Sequence, residues 1–145
     1  MGCTPRGFIQ ILHIFSANSA FSAVNLKCDK VKLEKMRVVR RESKHPFIAK
    51  DGSEIRELYK SAGMSLAEAT VYQETKRHFH KTAEEIYHIL EGKGIMEIEG
   101  NSKEVSEGDT VVILPGEKHR IFTDKKVRFL CFCSPPYSDA DTVLE

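Results

Sequence analysis

The chain has 145 residues, 41% hydrophobic and 30% charged, with a formal net charge of +1. That is enough for one domain with its own hydrophobic core. The near-zero net charge excludes a protein built around a global positive field, and hence a dedicated nucleic-acid binder. From Met1 to Leu26 the only charged residue is Arg6. Arg6, a short apolar run over residues 8–15 and small residues after it resemble an export signal, but Gln10 and His13 interrupt the run. It is also too short to span a bilayer as a helix. The start Met1-Gly2-Cys3 invites acylation, although Arg6 stands where the myristoylation pattern wants Ser or Thr. The preferred reading is a tail over residues 1–35 and a folded domain over residues 36–145. A cytoplasmic location follows, or export if residues 1–20 act as a signal peptide. Residues 27–44 carry eight Lys/Arg against three acids, without interleaved aromatics, and read as a solvated approach to the domain.

Beyond Val38 the chain reads as short strands separated by turn residues, the pattern of an all-β sandwich or barrel. Asp51-Gly52 is a turn before an apolar-rich strand at 55–59. Residues 66–72 end in the β-formers Thr70, Val71 and Tyr72, so a strand is preferred to a helical turn. Strands are expected at 86–90 and 95–99, joined by a turn over residues 91–94, with Gly100-Asn101 as the next hairpin tip. Further strands fall at 110–114, 119–122 and 127–133, and Pro135-Pro136 ends the sheet. Cys131 and Cys133 alternate along an apolar strand and read as core packing.

The chemistry sits in two distant segments. His78 and His80 are i and i+2 in an extended stretch and project to one face. Glu85 follows a turn, and His119 comes from a strand some forty residues later. Three imidazoles and a carboxylate make a nitrogen/oxygen pocket for one divalent ion, with manganese, iron, zinc and nickel all suited. Glu84 competes for the carboxylate position, and spacing favours Glu85. His88 has the opposite strand parity and should face away; His13 and His45 lie outside the pattern. Arg120 beside His119 is tempting as an anion clamp, yet its parity points it outward. Tyr87, Ile89 and Phe122 read as cavity lining or core.

These residues resemble the cupin superfamily. Its first signature, Gly-x5-His-x-His-x3,4-Glu-x6-Gly, is met by His78, His80, Glu85 and Gly92, with Tyr72 in place of the leading glycine. Its second, Gly-x5-Pro-x-Gly-x2-His-x3-Asn, is met by Gly108, Gly116 and His119. Leu114 and Thr123 replace its proline and asparagine. The resemblance covers residues 50–137 and extends to small single-domain cupins described as mannose-6-phosphate-isomerase-like. It implies a double-stranded β-helix, or jelly-roll barrel, with the metal held by His78, His80, Glu85 and His119. It also implies a homodimer that binds a small molecule, with neither nucleic acid nor membrane as partner. The expected function is a metal-dependent enzyme acting on a sugar or sugar phosphate. The alternatives are a non-catalytic small-ligand binder and a metal-dependent dioxygenase. A phosphate-binding version requires converging cations, for which Lys76, Arg77 and Lys81 are the candidates.

Overall fold

The computed structural model describes residues 36–145. The expected tail, with its apolar run, acylation start, His13, Cys3 and Cys28, lies outside the described residues. Ten strands follow a single 3-10 turn at Arg41–Ser43. They are β1 (Phe47–Ile48), β2 (Glu54–Lys60), β3 (Ser65–Val71), β4 (His78–His80), β5 (Glu84–Ile98), β6 (Asn101–Ser106), β7 (Thr110–Ile113), β8 (His119–Phe122), β9 (Val127–Ser134) and β10 (Thr142–Leu144). Every pairing is antiparallel, in the order β1-β2-β3-β9-β5-β8-β4-β10, with β6 and β7 also paired to β5. The all-β jelly-roll expectation holds. Among the described residues no helix is long and apolar enough to cross a membrane.

The expected turn over residues 91–94 does not exist. β5 runs unbroken for 15 residues, and its two halves serve different sheets. Glu84 to Gly92 pairs with β9, while Lys93 to Ile98 pairs with β6. Gly92 takes φ 82°, and the β5–β9 register shifts between Ile89 and Glu91, so the glycine marks a bulge that bends a continuous strand. A Cβ on Gly92 would lie 2.2 Å from the Lys126 carbonyl oxygen, so close backbone approach also demands glycine. The hairpin tip after β5 is Glu99-Gly100, one residue earlier than expected. Both have positive φ, and Ile98 pairs directly with Asn101, as a two-residue primed turn requires.

Alternation builds the interior. Val127, Phe129, Cys131 and Cys133 of β9 are all buried, and Phe129, Cys131 and Cys133 sit opposite Ile89, Tyr87 and Glu85 of β5. On the other side of β9 the partners are Ala69, Ala67 and Ser65 of β3. The interior rows therefore grade from apolar, at Ala69, Phe129 and Ile89, to polar, at Ser65, Cys133 and Glu85. The apolar end supplies stability, with each fully buried Phe or Ile contributing about 1.5–3 kcal/mol. The polar end is where the histidines arrive.

Candidate metal centre

β4 is three residues long, His78-Phe79-His80, and its pleat buries both histidines while Phe79 turns outward, half-buried. β8 lies beside it with His119 directly opposite His78, their ring centroids 4.3 Å apart. Glu85 enters from β5 where that strand belongs to the facing sheet. The four sequence-predicted residues thus converge from both sheets, and one donor atom from each lies within 4.8 Å of all the others. None is more than 3% exposed. Glu84, the rival carboxylate, is exposed. His88 faces out and hydrogen-bonds Thr110 Oγ1 at 2.9 Å. Arg120 reaches away to Glu97 at 2.9 Å, and its guanidinium lies over the Phe122 ring. Strand parity anticipated His88 and Arg120, and motif spacing Glu84.

Outer contacts fix how each imidazole is presented. His78 Nδ1 donates to the Lys76 carbonyl at 2.8 Å, and His119 Nδ1 donates to the Glu117 carbonyl at 2.9 Å. His80 Nδ1 lies 3.2 Å from Thr142 Oγ1. That hydroxyl gives its own proton to the Ser138 carbonyl at 3.0 Å, so it must accept from His80. All three rings therefore carry their proton on Nδ1 and turn an Nε2 lone pair inward, the tautomer that metal-ligating histidines adopt. Sequence reading missed Thr142, because 62 residues separate it from His80 and only β10 pairing with β4 joins them.

Glu85 completes the set through one oxygen. Its Oε2 lies 3.2 Å from His80 Nε2 and 3.1 Å from His119 Nε2. The His119 contact lies close but outside hydrogen-bond alignment, so this buried nitrogen has no partner. A cation bonded to that lone pair would remove the penalty of leaving it unsatisfied. Burial opposes the charge on Glu85, but the adjoining His119 and His80 rings outweigh it and hold the carboxyl well below its usual range. Burial, reinforced by the neighbouring His119, pushes His78 down and keeps it neutral. At His80 burial is again the largest influence, and there the Glu85 hydrogen bond and charge overcome it and raise the pKa. A carboxylate held anionic beside three inward-facing imidazoles is a donor set that could hold a divalent ion.

The cluster opens onto a cavity of about 60 Å³ whose lining includes Phe47, Ile55, Glu57, Tyr87 and Tyr137. At about 10–15 Å³ per water-sized position, only a few non-hydrogen atoms fit wholly inside. Among the described residues no lysine or arginine lines it. Lys76 is exposed, Arg77 pairs with Glu97 and Glu145, and Lys81 reaches the Ala140 carbonyl, so the suggested phosphate cations do not converge. Cys131 and Cys133, expected only as core, also line the cavity and donate to Glu85 Oε1.

The profile of the cupin domain family matches residues 68–133. The uncharacterized protein MJ1618 of Methanocaldococcus jannaschii is 46% identical over 106 residues, covering 67% of this chain and 85% of that protein. Among solved structures, the polyketide cyclase RemF of Streptomyces resistomycificus superposes with TM-score 0.62 at 25% identity, over 70% of this chain and 80% of its own. Streptomyces Pac13 with uridine superposes with TM-score 0.68 at 12% identity, over 77% of this chain and 92% of its own. With the cupin-domain profile, the motif spacing and the barrel in agreement, the chain belongs to the cupin family.

Proposed function

We propose that this protein is a divalent-metal-dependent enzyme acting on a small, uncharged polar molecule such as a free sugar. The observation that carries the reading is the convergence of three inward Nε2 atoms and one carboxylate oxygen on a cavity with no lysine or arginine in its lining. His78, His80, Glu85 and His119 would hold the ion, with manganese, iron, zinc or nickel chemically admissible. A bound divalent ion supplies Lewis-acid polarisation of a substrate carbonyl or activation of a water.

The remaining work falls to the cavity wall. Burial, then the neighbouring Glu85, pushes the Tyr87 phenol well above its usual value, so it stays protonated and can donate to a substrate oxygen. Asp51 Oδ1 is already taken by the Ser53 amide and hydroxyl. Glu57, on the inward parity of β2, has only a loose 3.9 Å contact with Lys60. It is the carboxylate best placed to take a proton from a substrate carbon next to a carbonyl. Phosphorylated sugars would bring a dianion to a wall that carries Asp51, Glu57 and Glu85 and no lysine or arginine to pair with it. Among the structural relatives, Pac13 is described with uridine and RemF as a polyketide cyclase, so this fold is found with small organic molecules.

The outer face of the sheet supports a homodimer. Leu66, Phe132, Ile86 and Val112 pair in one row across β3, β9, β5 and β7, with Val112 51% exposed. Such a row is covered naturally by its own copy.

The functional test uses the full chain loaded in turn with Mn2+, Fe2+, Zn2+ and Ni2+ against matched free and phosphorylated sugars. Turnover of free sugars only, reduced at least about 100-fold by Glu57→Gln with metal content unchanged, is the expected result. Faster turnover of the phosphorylated partners, or binding of every sugar without conversion, would overturn it.

A further inference from the structure

Glu85 has two oxygens, and they face different neighbours. Oε2 meets the imidazoles of His80 and His119. Oε1 accepts from the Cys131 thiol at 2.8 Å and the Cys133 thiol at 3.4 Å, and the two sulfurs are 3.8 Å apart. Strand alternation puts both thiols on the interior face of β9, and antiparallel pairing sets Cys133 directly opposite Glu85. Both are reduced, and both line the cavity that reaches the histidines.

A disulfide does not account for the pair. Alternate residues of one strand are about 6–7 Å apart with parallel side chains, whereas a disulfide needs Cβ atoms about 3.5–4.5 Å apart. A shared ion does account for it. Two thiolates bound at about 2.3 Å with tetrahedral angles hold their sulfurs about 3.8 Å apart, which is the separation present. The carboxylate oxygen in contact with both sulfurs supplies a third donor atom.

We propose that Cys131, Cys133 and Glu85 Oε1 form a second cation seat for thiophilic ions such as Zn2+, Cd2+ or Cu+, with Glu85 bridging it to the histidine cluster. Loading with a divalent ion forms two metal–sulfur bonds and releases the two thiol protons to solvent, with no change of oxidation state. The short Sγ–Oε1 contact is the thiol hydrogen bond of the metal-free form, and it gives way when its proton leaves. Hard ions such as Mn2+ use the imidazole–carboxylate set alone, because thiolates select soft ions. The barrel thus sorts cations by softness on the two sides of one carboxylate.

The test titrates Cd2+ into the full chain carrying Cys3→Ser and Cys28→Ser, under a reductant that is not itself a thiol. Bound metal is counted by elemental analysis, and thiolate ligation is read from the ultraviolet thiolate-to-cadmium charge-transfer band. Two cadmium ions per chain with a strong band are expected, against one Mn2+ without a band. Adding Cys131→Ser and Cys133→Ser should remove one cadmium and the whole band. His80→Ala with His119→Ala should remove the other cadmium and keep the band. A single cadmium without a band in the parent, or a band that survives the double cysteine substitution, overturns the proposal. The parent measurement decides even if a variant fails to fold. Retention of both ions by the histidine variant would instead reject the imidazole site and leave the thiol seat standing.

Discussion

Thr142 shows how much a single hydroxyl can control in a site built of imidazoles. Its proton is committed to the Ser138 carbonyl, so its oxygen is obliged to accept from His80 Nδ1. This sets the tautomer and keeps the His80 Nε2 lone pair inward. Thr142→Val keeps shape but loses the acceptor, and metal affinity should fall about 10–100-fold. Thr142→Ser should retain it. Competition with a fluorescent chelator measures both; equal affinity in the valine variant would show that packing alone orients the ring. The four candidate ligands were legible because their spacing is local or set by fixed loops. Thr142 was not, since nothing in the sequence announces that the last strand returns to the first histidine strand. Cys131 and Cys133 were legible only as buried, because alternation reports which face a residue occupies and not which group lies opposite.

At the scale of elements, β5 decides the architecture, and it was the element read least well. Four residues containing two glycines looked like a hairpin turn, as they do in most sequences. The competing use of glycine, a bulge with close backbone approach, won. At Gly108 and Gly116 the glycines do sit in turns between strands, from β6 to β7 and from β7 to β8, all three of which pair with β5. The two uses predict different costs for alanine. At Gly108, with φ 90° and nothing within 4 Å of an added Cβ, only the left-handed backbone is penalised, by about 1–2 kcal/mol. At Gly92 the same penalty is joined by collision with the Lys126 carbonyl, a backbone atom that cannot swing aside. Gly92→Ala should therefore cost about 1–3 kcal/mol more than Gly108→Ala. Urea unfolding of the two variants compares them directly. Equal costs would mean that the bend of β5 is held by something other than the bulge.

For the molecule as a whole, charge fastens the described N-terminal segment to the barrel, and acid should release it. Glu68 on β3 is almost fully buried and accepts from Arg41 at 2.9 Å and from Arg128 at 3.1 Å. Its pKa is lowered, chiefly by the Arg41 hydrogen bond against an opposing burial effect. A depressed carboxylate stabilises the fold above its unfolded value near 4.5, and that stabilisation disappears as pH falls through the lower folded value. At neutral pH Glu68→Gln should lose about 1 kcal/mol, discounted for the exposure of Arg41. Thermal melts should show the two proteins converging as the pH is lowered below the ordinary carboxylate range. A gap that stays constant with pH would mean that Glu68 contributes by shape and not by charge.

The outer sheet face makes the second whole-molecule prediction. An apolar row four strands wide is unusual on a surface that otherwise alternates apolar inside with polar outside. Val112 lies at its far end, half exposed, and pairs with Ile86. A charge there meets solvent in a monomer but is buried against its own copy in a two-fold dimer, where each substitution is felt twice. Val112→Asp should consequently leave the thermal unfolding of dilute monomer nearly unchanged while shifting the solution mass from twice the chain mass to one. Sedimentation equilibrium over a range of concentrations reads that shift. A parent protein that is monomeric at every concentration would remove the dimer, and the row would then have to be explained by a different partner.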